Sequence, residues 1–376
     1  MTPPIYLDSN ATAKARPEAI EAVEAALRLG GNPSSVHAAG RAARGLIEAA
    51  RADVARLVGA TPGAVTFVSG GTEANALAMA SAVAAGHPRI IISATEHEAV
   101  RATAESFGLG LEIWPVDANG LADLADLERR LREADGALVC LMLANNETGV
   151  IQHVAEAARL VHHAGGWLHV DAVQGAGKIA IDMASLDADT LALSAHKLGG
   201  PQGSGAVVAA GGVRLSRTQH GGGQERGLRA GTQNVSGIAG FGAAAAAAEA
   251  GLETLQTQGA SRDALAARLK AAGAVVLGES APRLPQTLCI AMPNFPAEIQ
   301  VVALDLAGVM VSAGAACSSG KVKPSGVVEA MGRPDLAPFA LRISGGWETT
   351  PDDWVRCGDA WLAALATRSA RQPAFA

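Results

Sequence analysis

Short apolar runs and longer amphipathic stretches take turns along most of this chain. From residue 65 the runs at 65–68, 89–93, 111–116, 138–143, 167–170 and 190–193 are too short for helices and read as strands. Between them, segments at 74–85, 99–107, 121–133 and 154–164 carry apolar residues at helical spacing. This alternation predicts an α/β fold with a mostly parallel central sheet covered by helices on both faces. Ligands bind such sheets beyond the carboxyl ends of the strands. Ahead of residue 65 the pattern predicts an arm and two helices, 17–29 and 36–57, separated by the turn residues 30–35.

After the strand at 190–193 comes a polar, glycine-rich segment, 221–232, and then a helix containing the six alanines 243–248. A shift toward Gly, Gln, Thr and Ser at 250–262 marks the expected domain boundary. Beyond it lie a helix, strands near 274–277 and 287–292, a helix at 297–306 and the segment with Cys317, together a smaller α+β domain. The expected organisation is an N-terminal arm, 1–14, associated with the small domain, a large domain, 15–255, and a small C-terminal domain, 256–376, carrying the cysteine loop.

Composition narrows the function. With 44 glycines and 3% aromatics in 376 residues, the core must be built from Ala, Val and Leu and from close backbone approaches. The net charge of −6 supplies no basic field to recruit nucleic acid or an acidic membrane surface. No apolar run approaches the roughly 18 residues of a membrane span, and residues 1–8 lack a basic stretch leading into an apolar one, so a cytoplasmic protein is expected. The four cysteines form no C-x-x-C pair, which argues against a zinc ribbon. Cys140 and Cys289 sit in strand-like runs and Cys357 in a helical one, whereas Cys317 lies among small residues in Gly314-Ala315-Ala316-Cys317-Ser318-Ser319-Gly320.

Chemistry-bearing residues fall where an α/β sheet would put them. Thr72, Asn145, Asp171 and Lys197 each follow or end an apolar strand-like run. Lys197 leaves one such run and enters the loop 198–205, where desolvation favours the neutral amine that attacks carbonyls. It is a candidate Schiff-base residue. The Gly70-Gly71-Thr72 turn opens a helix and offers free amides to a phosphate. Taken singly, each has an ordinary reading as a surface lysine, a turn, a cap or a small buried thiol.

Taken in order, the motifs resemble the cysteine desulfurase family of pyridoxal 5'-phosphate enzymes, in the class V aminotransferase group of the type I fold. The resemblance runs through Tyr6-Leu7-Asp8-Ser9-Asn10-Ala11-Thr12, Asn32 to His37, Ser69 to Asn75, Thr95-Glu96-His97, Asn145-Asn146-Glu147-Thr148-Gly149, Asp171-Ala172-Val173-Gln174, Ser194 to Lys197, Gly221 to Thr232 and Ala313 to Gly320. It implies that Lys197 binds the cofactor covalently and then moves the substrate's alpha proton. Asp171 would pair with the pyridine nitrogen, Gln174 would bond the phenolate oxygen, and His97 would stack on the ring and pass protons. The phosphate would be held by Gly71, Thr72, Ser194 and His196, and by Thr232 from a second subunit, which carries a homodimer with it. Arg342 would bind the carboxylate of L-cysteine, Asn145 would orient the same amino acid against the ring, and Cys317 would take its sulfur as a persulfide, leaving alanine.

The same resemblance implies no resident metal, although Cys317 could ligate an iron–sulfur cluster transiently during transfer. Residues 318–325 resemble the longer-loop branch of the family, which implies delivery to an iron–sulfur scaffold or other sulfur-acceptor protein. Four departures stand out: Ser9 in place of Asn, Ala13 in place of Thr, no proline after Gln152, and Gly345-Gly346-Trp347 after the arginine. The C-terminal stretch, 367–376, does not resemble the tail some relatives use to dock a scaffold. Selenocysteine lyase or another class V enzyme is the alternative reading, and a non-catalytic relative a more distant one.

Overall fold

The apolar strands between 65 and 193 come together in one sheet in a computed structural model that describes residues 3–133, 136–314 and 323–371. The chain opens with β1 (Ile5–Tyr6), α1 (Pro17–Leu29), α2 (Ala38–Leu57), β2 (Val65–Val68), α3 (Gly71–Ala84), β3 (Ile90–Ser93), α4 (Glu98–Ser106), β4 (Leu111–Trp114) and α5 (Leu124–Glu133). It continues through β5 (Leu138–Cys140), α6 (Val154–His163), β6 (Trp167–Asp171), α7 (Met183–Leu186), β7 (Thr190–Ser194), β8 (Gly205–Ala209) and α8 (Val235–Ala250). The remainder is α9 (Leu252–Gln256), α10 (Gln258–Ala271), β9 (Val275–Val276), β10 (Thr287–Ala291), α11 (Ala297–Leu306), β11 (Val309–Met310), α12 (Gly326–Ala330), β12 (Ala340–Ser344) and α13 (Pro351–Arg371).

The large sheet has the order β2-β8-β7-β6-β5-β3-β4. From β4 to β7 the pairs are parallel, while β8 runs antiparallel to both β7 and β2. The mostly parallel sheet is therefore as expected. Strand β8 departs from the sequence pattern, because the glycines on either side of Ala206-Val207-Val208 give the segment the look of a loop. Every residue of β3, β5, β6, β7 and β8 is buried, which is why these strands read as continuous apolar runs without alternation.

Helix α3 begins at Gly71, three residues before the expected start, and Gly70 gives it no side-chain cap. The amides of Gly71 and Thr72 thus belong to the open first turn of a 14-residue helix that packs on β6, β7 and β8. Helix α8 packs on α1 and α2, and glycine sets how closely. A Cβ at Gly242 would lie 2.5 Å from Ala50 Cα, so a side chain there would push the helices apart.

A second core forms around β12-β10-β9, an antiparallel sheet backed by α10, α11 and α13. Leu269, Leu288, Ile343, Trp354 and Trp361 fill it, together with Ile5 and Leu7 of the arm. The arm reaches this core by pairing β1 in parallel with β11 and by the bridge Asp8↔Ser344 to β12, while Ser312↔Arg342 joins the residues after β11 to the same strand. No single described helix is long and apolar enough to cross a membrane.

Candidate active site

The carboxyl ends of β2, β3, β5, β6 and β7 open into one cavity of about 890 Å³. The part of the chain around the second core closes its far side through Arg342 on β12 and through Gly314, Gly326 and Val327. Of the site residues expected from the sequence, Gly71, Thr72, His97, Asp171, Gln174, Ser194, His196, Lys197 and Arg342 all line this cavity.

Lys197 sits on the 3-10 turn Ala195–Lys197 that ends β7. Its Nζ donates to the carbonyls of Asn10 (2.7 Å) and Ala11 (2.8 Å), so the arm holds the amine in place. Burial, helped by the nearby Arg342 guanidinium and opposed by Asp171 and Asp8, brings its pKa down to about 8. The amine is therefore half neutral, and so nucleophilic, near pH 8. Neighbouring His196 is held by Thr12 Oγ1 at 2.6 Å, and burial, with Lys197 and Lys178, pushes its pKa down to about 4.

Asp171 ends β6 and is almost fully buried. Its Oδ1 accepts from the Val173 amide (3.0 Å) and its Oδ2 from Asn75 Nδ2 (2.8 Å). Asn75 Oδ1 in turn meets His169 Nε2 at 2.8 Å, and His169 Nδ1 meets Thr190 Oγ1 at 2.9 Å. Burial lowers the His169 pKa to about 4, so the ring is neutral and must carry its proton on Nε2 to satisfy the Asn75 oxygen. That leaves the Asn75 amide as a fixed donor to Asp171. Neither Asn75 nor His169 was assigned a role from sequence; Asn75 closes one of the motifs, while His169 looks like any polar residue within a buried strand.

In the same cavity, the first turn of α3 faces Ser194. A Cβ on Gly71 would come 2.9 Å from Val173 Cγ2 and 3.5 Å from Ser194 Cβ, so only glycine leaves this corner open. His97 caps α4, its Nδ1 accepting from the Ala99 amide at 3.0 Å. Glu96, just before it, was missed as a wall residue. Its Oε1 accepts from the Met142 amide (2.6 Å), its Oε2 has no partner among the described residues, and burial, then Asp171, raise its pKa to about 8.

Arg342 donates through Nη2 to Asp8 Oδ1 (2.7 Å) and through Nη1 to Asn146 O (3.1 Å), and its Nε is buried without an acceptor among the described residues. Two expected residues are not brought to the cavity. Asn145 Oδ1 accepts from the amides of Glu147 and Thr148, closing its own turn, and its Nδ2 donates to Thr95 O; Asn146 lines the wall instead. Thr232 is exposed and away from the cavity of its own chain. Cys317 lies outside the described residues. The other three cysteines are buried, and burial pushes each thiol up, Cys357 to about 12.

The Aminotransferase class-V family model matches residues 5–353. A cysteine desulfurase from Cereibacter sphaeroides is 42% identical over 361 residues, covering 93% of this chain and 92% of that protein. Among solved structures, a NifS-like protein from Rickettsia africae superposes with a TM-score of 0.89 at 32% identity, over 96% of this chain and 99% of that one. SspA in complex with cysteine superposes with a TM-score of 0.77 at 26% identity, over 90% of this chain and 98% of that one.

Proposed function

We propose, from the premise that this chain belongs to the aminotransferase class-V family and within it to the cysteine desulfurases, that it uses pyridoxal 5'-phosphate to convert L-cysteine to L-alanine and keeps the sulfur as a persulfide on Cys317. The observation that carries this reading is the convergence of Lys197, Asp171 and the uncapped start of α3 on one cavity. A partly neutral amine, a carboxylate oriented by Asn75, and open amides at a helix N-terminus are the groups that a carbonyl, a ring nitrogen and a phosphate require. The bare wall at Gly71 supports the fit, since any side chain there would occupy the phosphate corner.

When bound, the cofactor supplies an electrophilic carbonyl carbon and a ring able to take up the electron pair released at the substrate's alpha carbon. Lys197 would hold it at the carbonyl and, once released, carry the alpha proton. Asp171, kept an acceptor by Asn75 and the Val173 amide, would hold the proton on the ring nitrogen. Arg342 would bind the substrate carboxylate, with its buried Nε as the open donor and Asp8 orienting the fork. Cys317 as thiolate would form a new S–S bond to the substrate sulfur while the C–S bond breaks and its electron pair, with a proton, stays on what becomes alanine. Support for Cys317 comes from elimination: burial keeps the other three cysteines as thiols.

The enzyme acts as a cytoplasmic homodimer in this reading. Thr232, exposed on its own chain, would complete the partner's phosphate site. The sulfur would pass to an iron–sulfur scaffold or another acceptor protein. The domain limits 1–14, 15–255 and 256–376 fit the two cores, with the break between α8 and α10. Incubating the cofactor-loaded protein with L-cysteine and a dithiol should release alanine and sulfide in equal amounts. Cys317→Ala should abolish both while retaining the cofactor's visible absorbance. Unchanged turnover in that variant refutes the nucleophile, and an absent chromophore, or one that borohydride does not fix to Lys197, refutes the cofactor. Comparing L-selenocysteine with L-cysteine separates the lyase alternative.

A further inference from the structure

A second lysine is buried behind Lys197 with no part in the chemistry described so far. Lys178 is 5% exposed and lies one turn after Gln174 in the segment that follows β6. Its Nζ donates to Gln174 Oε1 and to Asn10 Oδ1 (3.1 Å). Both acceptors are amide oxygens and neither is a carboxylate. Burying an amine against neutral partners costs more than an apolar residue of the same length would, so packing alone does not account for it.

The hydrogen bonds explain what it does. In the bonds it makes here Lys178 only donates, and a backbone carbonyl can only accept. Gln174 turns its Oε1 to Lys178 and its Nε2 to the Asn10 carbonyl (2.9 Å). Asn10 turns its Oδ1 to Lys178 and its Nδ2 to Asn146 O (3.2 Å) and Thr287 Oγ1 (3.0 Å). Flipping either amide would set nitrogen against nitrogen on one side, and for Gln174 oxygen against oxygen on the other. Lys178 Nζ and the carbonyls of Asn10 and Asn146 together fix the sense of two amides. Gln174 and Asn10 line the cavity, Lys178 does not, and Lys197 Nζ shares the Asn10 carbonyl.

We propose that Lys178 is a positioning residue that locks Gln174, and Asn10 with it, so that an amide N–H is presented to the anionic ring oxygen of the cofactor beside Lys197; this rests on the cofactor reading above. Other charged groups face the same corner: Lys197 after β7, Asp171 at the end of β6, Arg342 on β12 with Asp8 of the arm, and His196. They are unchanged in every variant below.

The test is a pH titration of the bound cofactor's visible absorption, with cofactor release on dilution as a second readout. The cofactor-loaded parent, Lys178→Met, Gln174→Ala, the double variant and Lys178→Arg are compared. A donor to the ring oxygen favours its deprotonated form, so Lys178→Met should raise the titration midpoint by about one unit, the size of one charge-assisted hydrogen bond. Gln174→Ala should do the same, the double variant no more than either alone, and Lys178→Arg should recover most of the shift. An unchanged midpoint in Lys178→Met, or additive shifts in the double variant, overturns the proposal. Should Lys178→Met fail to fold, Lys178→Gln serves in its place, since its amide can accept as well as donate and so no longer fixes the sense of Gln174. A raised midpoint in that variant supports the proposal, and an unchanged one overturns it. A parent that forms no chromophore refutes the cofactor reading itself, a different result from a chromophore indifferent to Lys178.

Discussion

Replacing Glu225 with alanine should destabilise the protein by about 3 kcal/mol, the lower end of the range for stranding one member of a buried ion pair. The side chains of Arg51 and Glu225 are 4% and 2% exposed. Glu225 receives Arg51 Nη1 at 2.7 Å and Nη2 at 3.0 Å, the Phe67 amide at 2.9 Å and Gln233 Nε2 at 2.5 Å. Removing it therefore leaves a guanidinium and a backbone N–H short of their main acceptor. Arg51 would still reach Glu48, but that carboxylate is 58% exposed and screened by solvent, so it recovers little. The lower end of the range applies because Val65 O also remains on Arg51 and because the loop can relax. Glu225 and Arg226 have φ of 46° and 56°, left-handed values that cost about 1–2 kcal/mol per residue and that the buried contacts enforce.

Acid supplies a second arm of the same test. Burial alone would raise the Glu225 pKa, but Arg51 and the Phe67 amide outweigh it and hold it below 4.5. A lowered carboxylate pKa contributes stability that is present above the unfolded value and is lost as pH falls through the folded one. The parent's advantage over Glu225→Gln should be full at neutral pH and be lost only as the pH falls through the lowered folded-state pKa, below which the side chain is neutral in both. Urea unfolding followed by circular dichroism, on the two single variants Arg51→Met and Glu225→Gln and on their double, measures the coupling. A coupling near zero, or a Glu225→Ala cost below about 1 kcal/mol, would refute the reasoning.

Lys197 should capture pyridoxal phosphate faster as pH rises, with a midpoint near 8, because the neutral amine is the reactive form; stopped-flow absorbance checks this, and a midpoint above 10 would contradict it. Asn75→Ala should weaken cofactor binding by roughly ten- to a hundredfold, since it removes one hydrogen bond to a charged group worth about 1.5–3 kcal/mol; equal affinity by fluorescence titration would remove Asn75 from the Asp171 support. Gly242→Val should lower the melting temperature by several degrees through overpacking of about 1–3 kcal/mol, because even a Cβ would sit 2.5 Å from Ala50 Cα.

Strand ends were the legible part of this chain. Asp171 and Lys197 each follow a buried run, and a parallel sheet delivers all such positions to one edge, so local pattern was enough to bring them together. What the pattern could not carry is pairing across the fold. Asp8 and Arg342 meet from opposite ends of the chain, and the line from Thr190 through His169 and Asn75 to Asp171 crosses three elements. Asn145 and Asn146 show the limit at the scale of one residue. Both belong to the same motif, yet the turn at 145–150 consumes the side chain of the first and leaves the second on the cavity wall. Helix α3 shows it at a boundary: glycine is a poor helix former, so Gly71 read as turn, while its missing side chain is what lets the helix start against Val173 and Ser194.

The arm explains why two cores make one site. Ile5 and Leu7 are buried in the second core, while Ala13 donates its amide to the His196 carbonyl beside the large sheet, so the residues between them must cross the cavity. Asn10 lies at the midpoint of that crossing. Its carbonyl takes Lys197 and Gln174, its Oδ1 takes Lys178, and its Nδ2 reaches Asn146 and Thr287. Every one of these bonds shortens the freedom of a side chain or loop that faces the reacting groups. An arm bound to only one domain could not impose this, since the amine would then follow the large domain and Arg342 the small one. Because Asp8 holds Arg342 two residues before Asn10 holds Lys197, the separation between the Arg342 guanidinium and the Lys197 amine is set by a short length of backbone. Domain packing thereby becomes a constraint on the geometry of the reaction.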